Sequence, residues 1–387
     1  MTMHKAILCI KNGINNLINK NMKKLLLIGV AALMVACSTK PEGYKVTVNV
    51  DENIPNDTLV FGKTMKDAVA TAIVENGKVV FEGVVETPEY YNVFIKGSRR
   101  PIVNLFLENA EFQVNYNSQK PEETTVKGGG MTQEFLNKVA EKSKALTEEY
   151  KLDSLMKAYM KATEEEKEKI KEIYNKATEQ ISKMEDEFIA ANPISHYSLQ
   201  KLLQEVADMD IAEAEAKIAE FEANVEFKAN AVLQKCKDIV AKLKPVQVGQ
   251  PAIDFTQNNE KGEPVKFSDI YSKNKVTMLD CWASWCNPCR KFNPTLVEIY
   301  KKYHNKGFEI LGVSFDEDGE AWKKGIKDDG LTWPQVSDLG GWNNAVGGLY
   351  YIRFIPQNVF VDQNGTIIAR RLDTKEKIEE LLEKHLN

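Results

Sequence analysis

No glycine occurs between Gly130 and Gly249. A stretch that long without the residue that, proline apart, most weakens helices, and rich in Ala, Glu, Lys and Leu, reads as helical. Ile170, Ile173, Ala177, Ile181, Met184 and Phe188 follow the three-and-four spacing of one apolar stripe. Thr163 with Glu166 has the form of a capping box at the start of that helix, and Asn192-Pro193 stops it. Further helical runs are expected over residues 195–206, 210–221 and 226–243, with Lys244-Pro245 opening a linker. Each stripe is only about three turns long, which favours a packed bundle over an extended coiled coil while leaving room for a homodimer through the helices. Cys236, beside Val232, Leu233, Ile239 and Val240, reads as core filler.

The helical span divides the 387 residues into a multidomain chain. An antiparallel β domain is expected at 42–128, a helical domain at 131–244 and an α/β domain at 249–387. In the first, residues 45–50, 58–62, 79–85, 90–95, 103–107 and 112–116 are short runs broken by Asn, Asp, Gly and Pro. No motif there carries chemistry. Tyr90-Tyr91 and Arg99-Arg100 are ordinary for a strand and a charged loop, and make only a weak case for a recognition surface.

In the third part the apolar run 276–282 leads into Trp285, Cys286, Asn287, Pro288 and Cys289, which sets two thiols one helical turn apart. The thiolate is the reactive form of cysteine, and a helix N-terminus stabilises it through unpaired N–H groups and the helix dipole. That points to Cys286 as a nucleophile and to Cys289, deeper in the first turn, as the thiol that resolves a mixed disulfide. Pro288 suits a first turn, where its missing N–H costs nothing. The alternative is zinc. One CxxC supplies two of four ligands, and Cys9, Cys37, Cys236, Cys281 and the four histidines are scattered, so no metal site is expected. Cys281 reads as a small core hydrophobe. Around this segment come an opening hairpin turning at 259–262, a strand at 308–315, a helix at 319–328, a Trp- and Gly-rich connection, a hairpin turning at 362–365 and a closing helix at 374–386.

The segment Leu279, Asp280, Cys281, Trp282, Ala283, Ser284, Trp285, Cys286, Asn287, Pro288, Cys289, Arg290 resembles the active-site segment of thioredoxin-like proteins. The resemblance implies a thioredoxin fold over 249–387 and a redox-active Cys286–Cys289 disulfide that needs no further cofactor. It implies that Asp280 is buried beneath the disulfide and relays a proton to or from Cys289; burial would raise its pKa toward neutrality. It also implies a cis Ile355-Pro356 bond opposite the disulfide, with the Ile355 backbone, Pro356 and Trp285 contacting an extended client peptide. Where most relatives carry Thr after that proline and Gly two before it, this chain has Gln357 and Phe354. The opening hairpin and central insertion resemble the TlpA/ResA branch, whose members work outside the cytoplasm. Asn287-Pro288 is closer to the inserts of reducing members than to those of strong oxidants. The resemblance therefore implies a reductant of disulfide-containing envelope proteins, recharged by a membrane electron donor of the DsbD/CcdA kind. A disulfide isomerase and a redox-sensitive binding or scaffold lipoprotein are the alternatives.

At the N-terminus, Met22, Lys23 and Lys24 precede an uncharged stretch from Leu25 to Ala36, twelve residues in all. A span needs about 20, so this reads as a secretory signal at 22–37. Cys37, after Met34, Val35 and Ala36, resembles a bacterial lipoprotein processing site, which implies cleavage before it, lipid on its thiol and anchoring of the protein to a membrane on the periplasmic side. Residues 1–21 read as an over-extended start. Net charge is −5, from 51 basic and 56 acidic residues, so no nucleic-acid partner is expected. Hydrophobic residues make up 43%, enough for sizeable cores.

Overall fold

In the computed structural model, which describes residues 42–54 and 57–386, apolar residues at alternate positions become the inner faces of two four-stranded sheets. The strands are β1 (Tyr44–Val50), β2 (Thr58–Gly62), β3 (Ala68–Ile73), β4 (Lys78–Gly83), β5 (Glu89–Ile95), β6 (Pro101–Leu107), β7 (Glu111–Tyr116) and β8 (Thr125–Gly128). They are ordered β4-β1-β7-β8 and β3-β2-β5-β6. All pairs are antiparallel except β1 with β7, which run parallel. Val46 and Val48 of one sheet share a core with Phe61, Val93 and Leu105 of the other, all fully buried. The two sheets thus close face to face around one interior. The expected signal segment at 22–37, the expected lipidation of Cys37 and the expected over-extended start at 1–21 lie outside the described residues.

Two of these strands were not expected from the sequence. β3 is half alanine and pairs only with β2, as the outermost strand of its sheet; alanine is a poor strand former, and pairing with a neighbour decides the outcome there. β8 is four residues long and also outermost, so it has too little pattern to read.

The chain divides into two compact units, Met1–Tyr197 and Ser198–Asn387. The first continues through α1 (Met131–Tyr150), α2 (Leu152–Tyr159) and α3 (Glu164–Ala191). The capping box forms at the head of α3: the Thr163 side chain accepts from the Glu166 N–H, and the Glu166 carboxylate accepts from the Thr163 N–H at 2.8 Å. Phe135 of α1 stacks on Phe188 of α3 at 4.0 Å between ring centroids, and Tyr197 meets both edge-on. Phe106 of β6 joins the same cluster, so helices and sheet are sewn together within that unit.

After α4 (His196–Glu205) come α5 (Ile211–Ala223) and α6 (Ala231–Leu243). The expected helix from 226 begins five residues later. Asn230 accepts from the N–H groups of Val232 and Leu233, and an asparagine in that role fixes the helix start more strongly than the propensity of the residues before it. Nor is the stretch after Lys244 a free linker: Val246 is fully buried in the core of the second unit. Cys236 is fully buried, as expected of core filler.

The second unit is built on a mixed five-stranded sheet. Its elements run β9 (Thr256–Asn258), β10 (Pro264–Lys266), α7 (Phe267–Tyr271), β11 (Val276–Trp282), α8 (Asn287–Tyr303), β12 (Phe308–Ser314), α9 (Gly319–Asp329), β13 (Gln335–Val336), α10 (Ala345–Leu349), β14 (Gln357–Asp362), β15 (Ile367–Arg370) and α11 (Lys375–Leu386). The sheet order is β13-β12-β11-β14-β15, with β9 and β10 forming a separate hairpin. β11 is central and every residue in it is buried, which is why it reads as a largely apolar run, broken only by Thr277 and Asp280, rather than an alternating one. β11, β12 and β13 are parallel neighbours in sequence order, so right-handed crossovers put α8 and α9 on one face of the sheet. Ion pairing and hydrogen bonding from Lys302 and Tyr303 to Glu379 and Glu383 hold α11 beside α8. The chain is therefore an N-terminal β region, a central helical stretch and a C-terminal α/β region. Among the described residues no helix is long and apolar enough to cross a membrane.

Candidate active site

β11 ends at Trp282, and four residues later Cys286 caps the N-terminus of α8. Cys286 and Cys289 form a disulfide, with an S–S distance of 2.04 Å and Cα atoms 5.3 Å apart. The Cys289 N–H donates to Cys286 Sγ at 3.2 Å, so the sulfur at the helix end already faces a backbone donor. Ile355 O lies 3.7 Å from the same sulfur, and the Ile355-Pro356 bond is cis. Cys286, Cys289, Ile355 and Pro356 are therefore brought together across 69 residues of separation. Cys286 is 4% exposed and Cys289 1%, so the outer sulfur is Cys286.

Asp280 sits on the central strand, 2% exposed, and desolvation pushes its pKa up to about 7. Alternation along β11 turns the next residue, Cys281, to the opposite face of the sheet. Burial, and then the Asp280 charge, push the Cys281 thiol up.

Three supports escaped the sequence reading. Asp316, 1% exposed, accepts from Ser284 N at 2.9 Å, Ser284 Oγ at 2.6 Å and Ser314 Oγ at 2.7 Å, which pins the turn leading to Cys286. Arg290, on the first turns of α8, pairs through two nitrogens with Asp329 of α9 and donates to Ser284 O at 3.0 Å; Asn293 reaches the same carboxylate at 2.7 Å. The Trp282 indole N–H donates to Gln335 Oε1 at 3.0 Å. Nothing local marks Asp316 or Asp329 among the many loop and helix-end acids, because the active-site residues each one holds are more than 30 positions away. Asp316→Ala should remove three accepted bonds from a dry site and lower unfolding stability by about 3 kcal/mol. Urea denaturation measures this; an unchanged midpoint would show that the turn holds itself.

Around the disulfide lies exposed aromatic surface. Trp285 is 52% exposed and packs against Trp342, ring centroids 6.1 Å apart; Phe354, beside Ile355, is 50% exposed. A patch of this kind beside a reactive sulfur suits docking of apolar polypeptide.

The AhpC/TSA family matches residues 248–370, and a domain of unknown function (DUF4369) matches residues 44–135. Thiol-disulfide oxidoreductase ResA of Bacillus thuringiensis is 31% identical over 141 residues, covering 36% of this chain and 79% of that protein. ResA of Geobacillus kaustophilus is 34% identical over 140 residues, covering 36% and 78%. Among solved structures, a thiol-disulfide oxidoreductase from Bacteroides fragilis is 38% identical, covers 34% of this chain and 99% of its own, and superposes with a TM-score of 0.32. With a CxxC disulfide at a helix N-terminus and identity at this level over more than three quarters of its curated relatives, the chain belongs to the ResA-related family of thiol-disulfide oxidoreductases.

Proposed function

We propose that the protein reduces disulfides of other proteins outside the cytoplasm, with residues 249–387 as its catalytic module beside a β domain at 42–128 and a helical domain at 131–244. In the reduced form Cys286 attacks a client disulfide, one client sulfur leaves as thiolate and takes up a proton, and a mixed disulfide joins Cys286 to the client. Cys289 then gives its proton to Asp280, and its thiolate attacks Cys286 Sγ. The second client thiol is released and the enzyme keeps the disulfide. The observation that carries the assignment is the disulfide at the head of α8, with its outer sulfur on a backbone donor and against Ile355 O. Ile355 and Pro356 would meet the client backbone, and Trp285 its side chains.

Direction follows from reduction potential. Asn287-Pro288 supports a reductant, which a membrane donor of the DsbD/CcdA kind would recharge. The leader-like residues 22–37 and Cys37 support a lipid-anchored envelope location on the periplasmic side, where such a donor and disulfide-bearing clients meet. Equilibration of the full chain with glutathione tests the direction. A potential below the roughly −200 to −230 mV of glutaredoxins is expected, and one near the strong oxidants at about −120 mV would reverse the assignment.

A further inference from the structure

Asp280, Gly312 and Gln335 are register neighbours on β11, β12 and β13. Adjacent strands are about 4.8 Å apart, so these three positions lie in a row on one face, the face covered by α8 and α9. Gly312 has no side chain, and Gln335 fills its place: a methyl group there would lie 2.2 Å from Gln335 Oε1 and 2.6 Å from Gln335 Nε2. The Gln335 amide therefore rests over the residue directly beside Asp280. Trp282, two positions on from Asp280 and on the same face, holds Oε1 in place. This leaves Gln335 Nε2 buried without a partner, and Asp280 Oδ2 is likewise buried without one. The two residues are 3% and 2% exposed. A lone donor and a lone acceptor thus occupy neighbouring dry positions, where each unmade bond is costly.

We propose that Gln335 is a positioning residue for Asp280, its free amide N–H donating to the carboxylate, directly or through one water, in the state that takes the proton from Cys289. The inference rests on the relay assigned above to Asp280. In the disulfide form no bond joins the pair, and the contact closes when the carboxyl ionises. Few other groups compete for Asp280. On its own strand Asp280 is flanked by Met278 and Cys281; α11 packs through Ile378 and Leu382, α9 through Gly325 and Trp322, whose indole N–H is another buried donor left without a partner, and β14 presents the neutral Gln357 and Asn358. Burial is the one resolved influence on its titration.

The test titrates the Asp280 carboxyl carbon by NMR in the reduced full chain labelled at aspartate, with Asp280→Asn to assign the signal. Gln335→Met deletes the donor, whereas Gly312→Ala keeps Gln335 and only displaces its flexible end. Each should raise the carboxyl midpoint by about one pH unit, a tenfold change in acid constant, and the double variant should move it no further. The pH profile of mixed-disulfide resolution, followed with a glutathione adduct of Cys286, should move with it. A midpoint unmoved in both single variants, or shifts that add in the double, overturns the proposal. Should Asp280→Asn resolve the adduct as fast as the parent while the midpoint still moves, the relay is wrong and the contact between Gln335 and Asp280 stands.

Discussion

Cys289→Ala is expected to accumulate a covalent adduct with its client, whereas Cys286→Ala should form none and lose roughly a thousandfold or more of its disulfide-reducing rate. The asymmetry follows from position. Cys286 is the helix cap, the less buried of the two, and accepts a backbone N–H; Cys289 lies one turn inside and is shielded by the helix itself. A client sulfur therefore meets Cys286 first, and without Cys289 no other thiol among the described residues is exposed to displace it, since Cys236 and Cys281 are both fully buried. Insulin reduction gives the rates, and mass spectrometry of non-reduced envelope extracts gives the adduct. Adducts carried by Cys289 in the Cys286→Ala protein would exchange the roles of the two sulfurs.

The second large effect runs in opposite directions for activity and stability. Asp280→Asn removes the only buried carboxyl on the central strand, so resolution of the mixed disulfide at pH 7 should slow by roughly a hundredfold, the scale of a lost general base. Stability should rise. The folded-state pKa of Asp280, about 7, stands above the ordinary aspartate value of 3.8, so the folded chain holds the proton more tightly than the unfolded one. Folding is unpenalised by this group below about pH 4, loses stability as pH rises from there to 7, and is flat above. Integrated over that window the loss is roughly 4 kcal/mol, which sets the upper limit on what the substitution returns at pH 8. Urea denaturation of both proteins at pH 4 and pH 8 measures it. Equal stability differences at the two pH values would mean that Asp280 is ionised at little cost in the native state.

What the sequence disclosed and what it withheld divide along chain distance. The strand at 276–282, the helix that follows Cys286, the turn at 362–365 and the capping box of α3 are set by residues within a few positions of one another, and each stands where expected. The start of α6 lies later than expected because the helix-favouring Glu226, Lys228 and Ala229 outweigh a single capping side chain in the sequence pattern, while in the protein the Asn230 cap prevails. The family resemblance supplied Asp280 and the cis bond at Pro356; Asp280 is buried and the Ile355-Pro356 bond is cis. Asp316, Asp329 and Gln335 could not be found in this way. The active-site residues they hold, Ser284, Arg290 and Trp282, are 32, 39 and 53 residues distant, and a lone acid or amide has no pattern of its own.

Cys281 lies next to the proton-holding carboxyl, yet the pleat sends the two side chains to opposite sides of the sheet. With its thiol pushed up by burial, it offers no thiolate for exchange. The backbone of one strand thereby acts as a partition: a third sulfur in the same domain core as an electron-carrying pair is kept out of circulation, which guards the catalyst against scrambling its own bonds.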